Sequence, residues 1–266
     1  MASPRLTTSS PDPASILPFY KRQQQGIQLA TQRYRIRLAQ SDGEIDAAFR
    51  LRFAVFNIEL GEGLAKSFTN SRDRDVFDDN SEQVLIIDQS ASHIVGTCRL
   101  RNFEQAGNHS GFYASTRFNL SNLPHEILEN GIEFGRACLS VSHRNKNSFS
   151  LLWRFLCEYA RHHRKRYLFG CCSMNSQDPL AGGNLYEWLD KSGHVHTAVK
   201  VVPRPGSKCI FYNAIQPRYH RGLPSPFHTY LKRGAKICGM PAIDREFRTI
   251  DFFTLIDLEQ IFASNQ

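Results

Sequence analysis

The chain has 266 residues, 41% hydrophobic and 22% charged, with a formal net charge of +8. That balance excludes a fibrous or disordered polymer and fits one large α/β domain or two small ones. The positive surplus points to an acidic partner: nucleic acid, an anionic membrane surface or an acidic carrier protein.

Residues 1–32 are rich in Ser, Pro and Gln and read as a flexible tail. Within it, the aromatic and basic cluster from Ile16 to Arg22 could touch a membrane interface, although such a patch more often packs back on its own domain. Arg33 to Ala39 alternates polar and apolar residues, which predicts a first strand. Ser41 and Glu44 have the spacing of a capping box and predict a helix over about 42–57. That helix puts Ile45, Ala48, Phe49, Phe53 and Phe56 on one face and Arg52 on another. The polar stretch 61–80 reads as a long loop, and loops of that length are usually functional.

Val84–Asp88 and Ile94–Phe103 predict two antiparallel strands joined by a polar turn. After an irregular stretch over 104–130, Gly131 to Val141 reads as a central strand. Ser148 to Arg166 predicts a helix with Leu151, Leu152, Phe155, Leu156 and Tyr159 on its buried face. A strand over Tyr167–Met174, a helix near 180–191, a helix over Pro226–Arg233 ended by Gly234 and a last strand over Phe247–Leu258 follow. This order predicts an α/β (α+β) fold with a mixed, mostly antiparallel sheet, since it is too antiparallel for a doubly wound one.

No apolar run approaches the roughly 20 residues that span a bilayer, and the first 20 residues lack a signal-peptide core. The expected location is cytoplasmic, with peripheral contact at the inner membrane face as an option. The seven cysteines are scattered, without Cys-x-x-Cys or metal-ligand spacing, so reduced core thiols and no metal are expected. Cys171 and Cys172 in one strand should face opposite sides of the sheet.

Against this frame stands an ordered series of charges beside apolar segments: Arg52 in Leu51–Phe56, Asp78 after Phe77, Arg99 in Val95–Leu100, then Glu133 and Arg136 in Glu133–Leu139. Charged side chains inside core-forming segments are paired or functional, and their spread over several elements predicts one assembled polar site. Together with the stretches 151–173 and 230–258, these motifs resemble the ornithine-lipid type N-acyltransferases. That family belongs to the GNAT superfamily, is related to acyl-homoserine-lactone autoinducer synthases and often carries a "hemolysin-like" label. The resemblance covers about residues 33–262.

The resemblance implies a GNAT-like sheet with two splayed central strands in one domain over 33–266, extended from about 220. It implies a fatty acyl thioester on the phosphopantetheine of acyl carrier protein as co-substrate, no bound cofactor, and the α-amine of an amino acid, ornithine in the best-known members, as acceptor. Glu133 and Arg136 are then the catalytic candidates, with Glu133 taking the amine proton. Its bland alternative is an ion pair with Arg136. Backbone N–H groups around Arg136 to Cys138 would hold the oxyanion, and Cys138 itself is expected to be an inert core thiol.

Arg99, Arg136 and Arg52 are candidates for the acceptor carboxylate, because a guanidinium binds it bidentately. Each could instead buttress the loop through Asp75 or Asp78. Asp78, then Asp75 and Glu59, are candidates for a side-chain ammonium. Residues 142–148 stand where a Gly-rich pyrophosphate loop would be, yet contain no glycine, which favours a carrier protein over coenzyme A. Arg144, Lys146, Ser148, Arg161 and Arg164 are the candidate carrier contacts. The rival readings are an autoinducer synthase using S-adenosylmethionine, a nucleic-acid-binding module, for which no motif is found, and an inactive signalling relative.

Overall fold

The computed structural model describes residues 26–107, 110–210 and 225–263. The expected membrane-facing cluster at residues 16–22 lies outside them. The first element is already an edge strand, β1 (Gln28–Ala30), paired with β2 (Tyr34–Leu38) through Gln28↔Arg37. The tail expected over residues 1–32 is corrected at its end: Gln28–Ala30 join the ladder and satisfy backbone groups there.

Ser41 caps α1 (Asp42–Arg52), its Oγ accepting the Glu44 N–H at 3.3 Å. The Glu44 carboxylate turns to the Gln40 N–H and to Arg37. The predicted helix changes character after Arg52 and continues as a π-helical turn over Phe53–Glu59. Two 3-10 turns, Ala65–Thr69 and Asp78–Asn80, punctuate the expected loop. The hairpin follows as β3 (Glu82–Asp88) and β4 (His93–Asn102).

Residues 103–130 hold short pieces: α2 (Phe103–Gly107), a 3-10 turn over Tyr113–Thr116, β5 (Phe118–Asn119) and α3 (His125–Glu129). Then come β6 (Gly131–Leu139), α4 (Lys146–His162), β7 (Tyr167–Met174), α5 (Pro179–Lys191), β8 (Val202–Pro203) and α6 (Ser225–Leu231). The chain closes with β9 (Lys236–Ile237), β10 (Ala242–Asp244), β11 (Thr249–Asp257) and α7 (Leu258–Ala263). Sequence patterning predicts only the longest of these last strands, because two- and three-residue strands show no periodicity of their own.

The main sheet runs β1-β2-β3-β4-β6-β7-β11-β10, with β9 also on β11. Its neighbours are antiparallel except for the parallel pair β6 and β7. This is the mixed, mostly antiparallel α/β architecture of a GNAT-like fold. Side chains alternate between faces, so Phe252 and Cys172 enter the core under α4 while Phe253 and Cys171 face the smaller core around Phe112, Phe118 and Phe169. Leu151, Leu152, Phe155, Leu156 and Tyr159 of α4 are buried on the first face. Burying each such large apolar side chain contributes roughly 1.5–3 kcal/mol. Among the described residues no helix is long and apolar enough to cross a membrane.

The feature that makes room for a site is a parting of strands. β6 and β7 pair only at Gly131↔Tyr167, Ile132↔Leu168 and Glu133↔Phe169. Beyond that, β6 stays on β4 as far as Leu139↔Gly96, and β7 stays on β11 as far as Met174↔Ile250. Each strand is held on its outer side, so the gap between them stays open. At the vertex Gly170 lies against β6, where a Cβ would sit 2.2 Å from the Phe134 carbonyl oxygen. No residue but glycine fits that approach.

Candidate active site

A cavity of about 960 Å³ fills the splay. β6 contributes Glu133 through Leu139 to its wall, β7 contributes Cys171 to Ser173, and α4 contributes its first turn. Midway along this wall, two residues of β6, Arg136 and Ala137, stand opposite the single Cys98 of β4. This is a β-bulge, and Arg136 takes the left-handed conformation there, with φ of 48°. A non-glycine residue in that region stores strain of order 1–3 kcal/mol, offset here by the contacts of its side chain. The Arg136 guanidinium lies between two rings, 3.9 Å from the Phe247 centroid and 4.7 Å from that of Tyr113.

Three arginines and three aspartates meet behind the wall. Arg52 binds Asp73 at 2.5 Å and Asp78 at 2.7 Å. Arg99 binds Asp75 at 2.6 Å and Asp78 at 3.1 Å. Arg136 binds Asp75 at 3.0 Å and Asp73 at 3.3 Å. Burial alone would push the Asp78 carboxyl up, but Arg52 and Arg99 outweigh it and hold it well below the usual carboxylate range. The same balance, struck by Arg52 and Arg136, lowers Asp73.

Arg52 and Asp78 have side chains 0% exposed and line no part of the cavity. Their charges are spent on the buried network behind the cavity wall, away from the lining position expected of them as acceptor-binding residues. Arg52 also lies on the buried face of α1, one turn after Ala48 and Phe49, not on a separate polar face. Arg99, Arg136 and Glu133 do line the cavity, and Asp75 bridges the two arginines. Glu59 is taken up by Arg144, at 2.5 Å.

Glu133 does not pair with Arg136, so the alternative foreseen for it is not realised. Its carboxylate accepts the Ala114 N–H at 2.7 Å and the Tyr113 N–H at 2.8 Å. Burial raises its pKa, and these two N–H donors only partly offset the rise. Burial also pushes the Cys138 thiol up to about 12, so it stays a protonated core thiol.

The carrier candidates separate into two groups. Arg144 and Lys146 line the cavity mouth at the start of α4. Ser148 does not reach it: its hydroxyl is buried and donates to the His143 carbonyl, closing the helix cap with Asn145. Arg161 and Arg164 lie at the opposite end of α4 from the cavity, since fifteen residues of helix from Lys146 to Arg161 span about 22 Å.

The sequence reading passes over Asp73, Tyr113 and Glu62. Asp73 sits in the alternating run Arg72-Asp73-Arg74-Asp75, and a loop has no period to say which of these charges turns inward. Tyr113 lies in the irregular stretch, yet its hydroxyl donates to Asp244 at 2.6 Å and its ring covers Arg136. Glu62, on the cavity wall, has its pKa raised to about 7 by burial and by the nearby Asp251 charge. Among the described residues no group of three or more His, Cys, Asp or Glu side chains is placed to hold a metal ion.

Residues 51–154 match the family model for an acetyltransferase (GNAT) domain. The chain is 30% identical over 253 residues to an L-ornithine N(alpha)-acyltransferase of Brucella abortus, covering 85% of each chain. The chain belongs to the L-ornithine N(alpha)-acyltransferase family. A second member, from Agrobacterium fabrum, is 28% identical over 237 residues, covering 85% of this chain and 81% of its own. Among solved structures, FeeM, an N-acyl amino acid synthase from uncultured soil microbes, is 12% identical with a TM-score of 0.48, over 88% of this chain and 95% of its own. Family membership makes this protein an acyltransferase, and such an enzyme must seat an acyl thioester donor beside its acceptor.

Proposed function

We propose that this enzyme moves a fatty acyl group, commonly 3-hydroxylated, from acyl carrier protein to the α-amine of ornithine. The product would be N-acyl ornithine, the lyso form of ornithine lipid, for membrane lipid synthesis. The observation that carries the reading is the splay itself: an apolar-walled cavity that opens where β6 loses its partner, with Glu133, Arg99 and Arg136 on its wall. The names of the curated relatives supply the acceptor.

In this reading the thioester lies along the open edge of β6. The neutral α-amine attacks its carbonyl carbon, the C–N bond forms, and backbone N–H groups at the Arg136–Ala137 bulge stabilise the oxyanion. Collapse of the intermediate breaks the C–S bond and releases the phosphopantetheine thiolate, which takes up the proton that Glu133 removes from the amine, directly or through water. Glu133 takes the amine proton, directly or through water: each carboxylate oxygen has a lone pair left beyond its backbone bond. The N–H groups of Arg99 and Arg136 not engaged by Asp75 receive the acceptor carboxylate.

A carrier-bound donor is favoured by the cap of α4. The Asn145 side chain accepts the N–H groups of Asn147 and Ser148, at 3.0 and 3.1 Å, and so occupies amides that would cradle a pyrophosphate. Arg144 and Lys146 remain at the mouth to meet an acidic carrier. A carrier-bound donor supports a cytoplasmic enzyme, and an amphiphilic product is compatible with peripheral contact at the inner membrane face.

The test is mass spectrometry of the purified protein with 3-hydroxyacyl carrier protein, a panel of amino acids and S-adenosylmethionine. N-acyl ornithine is the expected product. A lactone from S-adenosylmethionine, or no acylated amine with a competent donor, would overturn the reading.

A further inference from the structure

Glu62 follows the π-helical turn and is tied down on three sides. Its N–H donates to the Phe56 carbonyl at 2.8 Å, and the next N–H, of Gly63, donates to Phe247 at 3.0 Å. Asn175, just past β7, donates through Nδ2 to the Leu60 carbonyl at 2.9 Å. The Glu62 side chain thereby reaches the cavity wall beside Asn175, Ser173, Phe247 and Arg136.

The acids around this cavity can be sorted by what holds each one. Asp73, Asp75 and Asp78 bind arginines. Glu133 is held by two backbone N–H groups. Asp251 accepts the hydroxyls of Ser173 and Thr249, at 2.7 and 3.0 Å. Glu62 has only the Asn175 amide and forms no ion pair among the described residues. An acid half withdrawn from water on an apolar wall, without a cation, is poorly compensated. Its raised pKa reflects that: burial is the main cause, Asp251 adds to it, and the Asn175 amide and the Arg136 charge only partly relieve it.

We infer that Glu62 is the specificity residue that receives the side-chain ammonium of a diamino acid acceptor. The inference rests on the proposed function, in which the α-amine and carboxylate of the same acceptor lie at Glu133, Arg99 and Arg136. A terminal ammonium gives Glu62 the cation it lacks, with Asn175 fixing the carboxylate from the other side. An acceptor whose side chain ends in a methyl group leaves Glu62 desolvated and unpaired, and so binds less well. This assigns to Glu62 the role that the family resemblance leads us to expect of Asp78, whose charge Arg52 and Arg99 already neutralise.

The experiment compares ornithine with norvaline, which has the same carbon chain without the terminal amine, using acyl carrier protein thioester as donor. The wild type should prefer ornithine in kcat/KM. In Glu62→Gln the ornithine-to-norvaline ratio should fall roughly 10- to 100-fold, the size of one charge-assisted hydrogen bond. Glu62→Asp, which keeps the charge, should retain part of the preference. Titration calorimetry with the two amino acids gives the same comparison independently of turnover and of how active each variant is. A wild-type ratio near one, or a ratio that survives in Glu62→Gln, overturns the inference and leaves the proposed function standing. If the wild type acylates neither amino acid with a competent donor, the proposed function fails, and the inference with it.

Discussion

Asp78→Asn separates a bracing role from a substrate role for the buried charge network. The Asp78 carboxylate meets Arg52 Nη1 at 2.7 Å and Nη2 at 3.0 Å, and Gln83 Nε2 at 3.0 Å. It also accepts the Asp75 N–H at 2.9 Å, which shapes the loop that presents Asp75 to Arg99 and Arg136. The amide keeps the shape, removes the charge and turns an NH₂ toward a fully buried guanidinium. Removing one partner of such a pair costs about 3–5 kcal/mol. For a chain of this size that lowers Tm by roughly 6–20 °C.

The pH dependence sharpens the test. The folded-state pKa of Asp78 is depressed, so its contribution is present above the unfolded value of about 3.9 and is lost as pH falls below it. Thermal unfolding followed by circular dichroism should therefore show a large Tm gap between wild type and variant at pH 7. The gap should narrow as the buffer is taken below about pH 4. A variant within about 1 kcal/mol of wild type at pH 7, with a raised KM for the amino acid, would refute the reasoning and return Asp78 to the substrate.

Glu133→Gln should lower kcat by about 100-fold or more if Glu133 takes the amine proton. It should also cost about 1–3 kcal/mol of stability, because Gln offers only one acceptor oxygen to the Tyr113 and Ala114 N–H groups. Steady-state kinetics on folded variant retaining near-full activity would exclude that role. Asp251, 1% exposed, has its pKa raised to about 6, chiefly by burial and then by Asp244. Its charge therefore costs stability progressively as pH rises from the unfolded value of about 3.9 through 6. Asp251→Asn should be more stable than wild type at pH 8, by up to about 3 kcal/mol, with the advantage vanishing near pH 4. Denaturant unfolding at the two pH values checks this, and a variant weaker at pH 8 contradicts it. Lys146→Glu should raise the KM for acyl carrier protein about tenfold at low salt, whereas Arg161→Glu at the far end of α4 should not. Equal effects from both would mean that the carrier docks along the whole helix.

Periodicity and turn chemistry carry most of the fold in this chain. Alternation marks β2, short apolar runs bounded by polar turns mark β3, β4 and β7, and the apolar stripe from Leu151 to Tyr159 marks α4. These are local signals, because a strand or helix with one buried face must write that face into its residues. The short strands β8, β9 and β10 carry no such signal: two or three residues form a strand only when β5 or β11 is there to pair with them. The π-helical turn after Arg52 and the edge strand β1 are likewise products of their neighbours.

The sequence by itself determined the α/β class, the order of the long elements and the set of charges that would be found together. An arginine or glutamate inside an apolar segment had to be paired or functional, wherever the segment ended up. Only the tertiary structure decided which of those charges meet the cavity. Arg52 and Asp78 turn inward to each other, while Arg99, Arg136 and Glu133 border the splay. Arg161 lies a helix length away from the cavity that Lys146 lines. Asp73, Tyr113 and Glu62 come from loops and turns, where no repeat links position to direction. Their place is fixed by long-range ion pairs, ring contacts and backbone bonds that exist only once the sheet has formed.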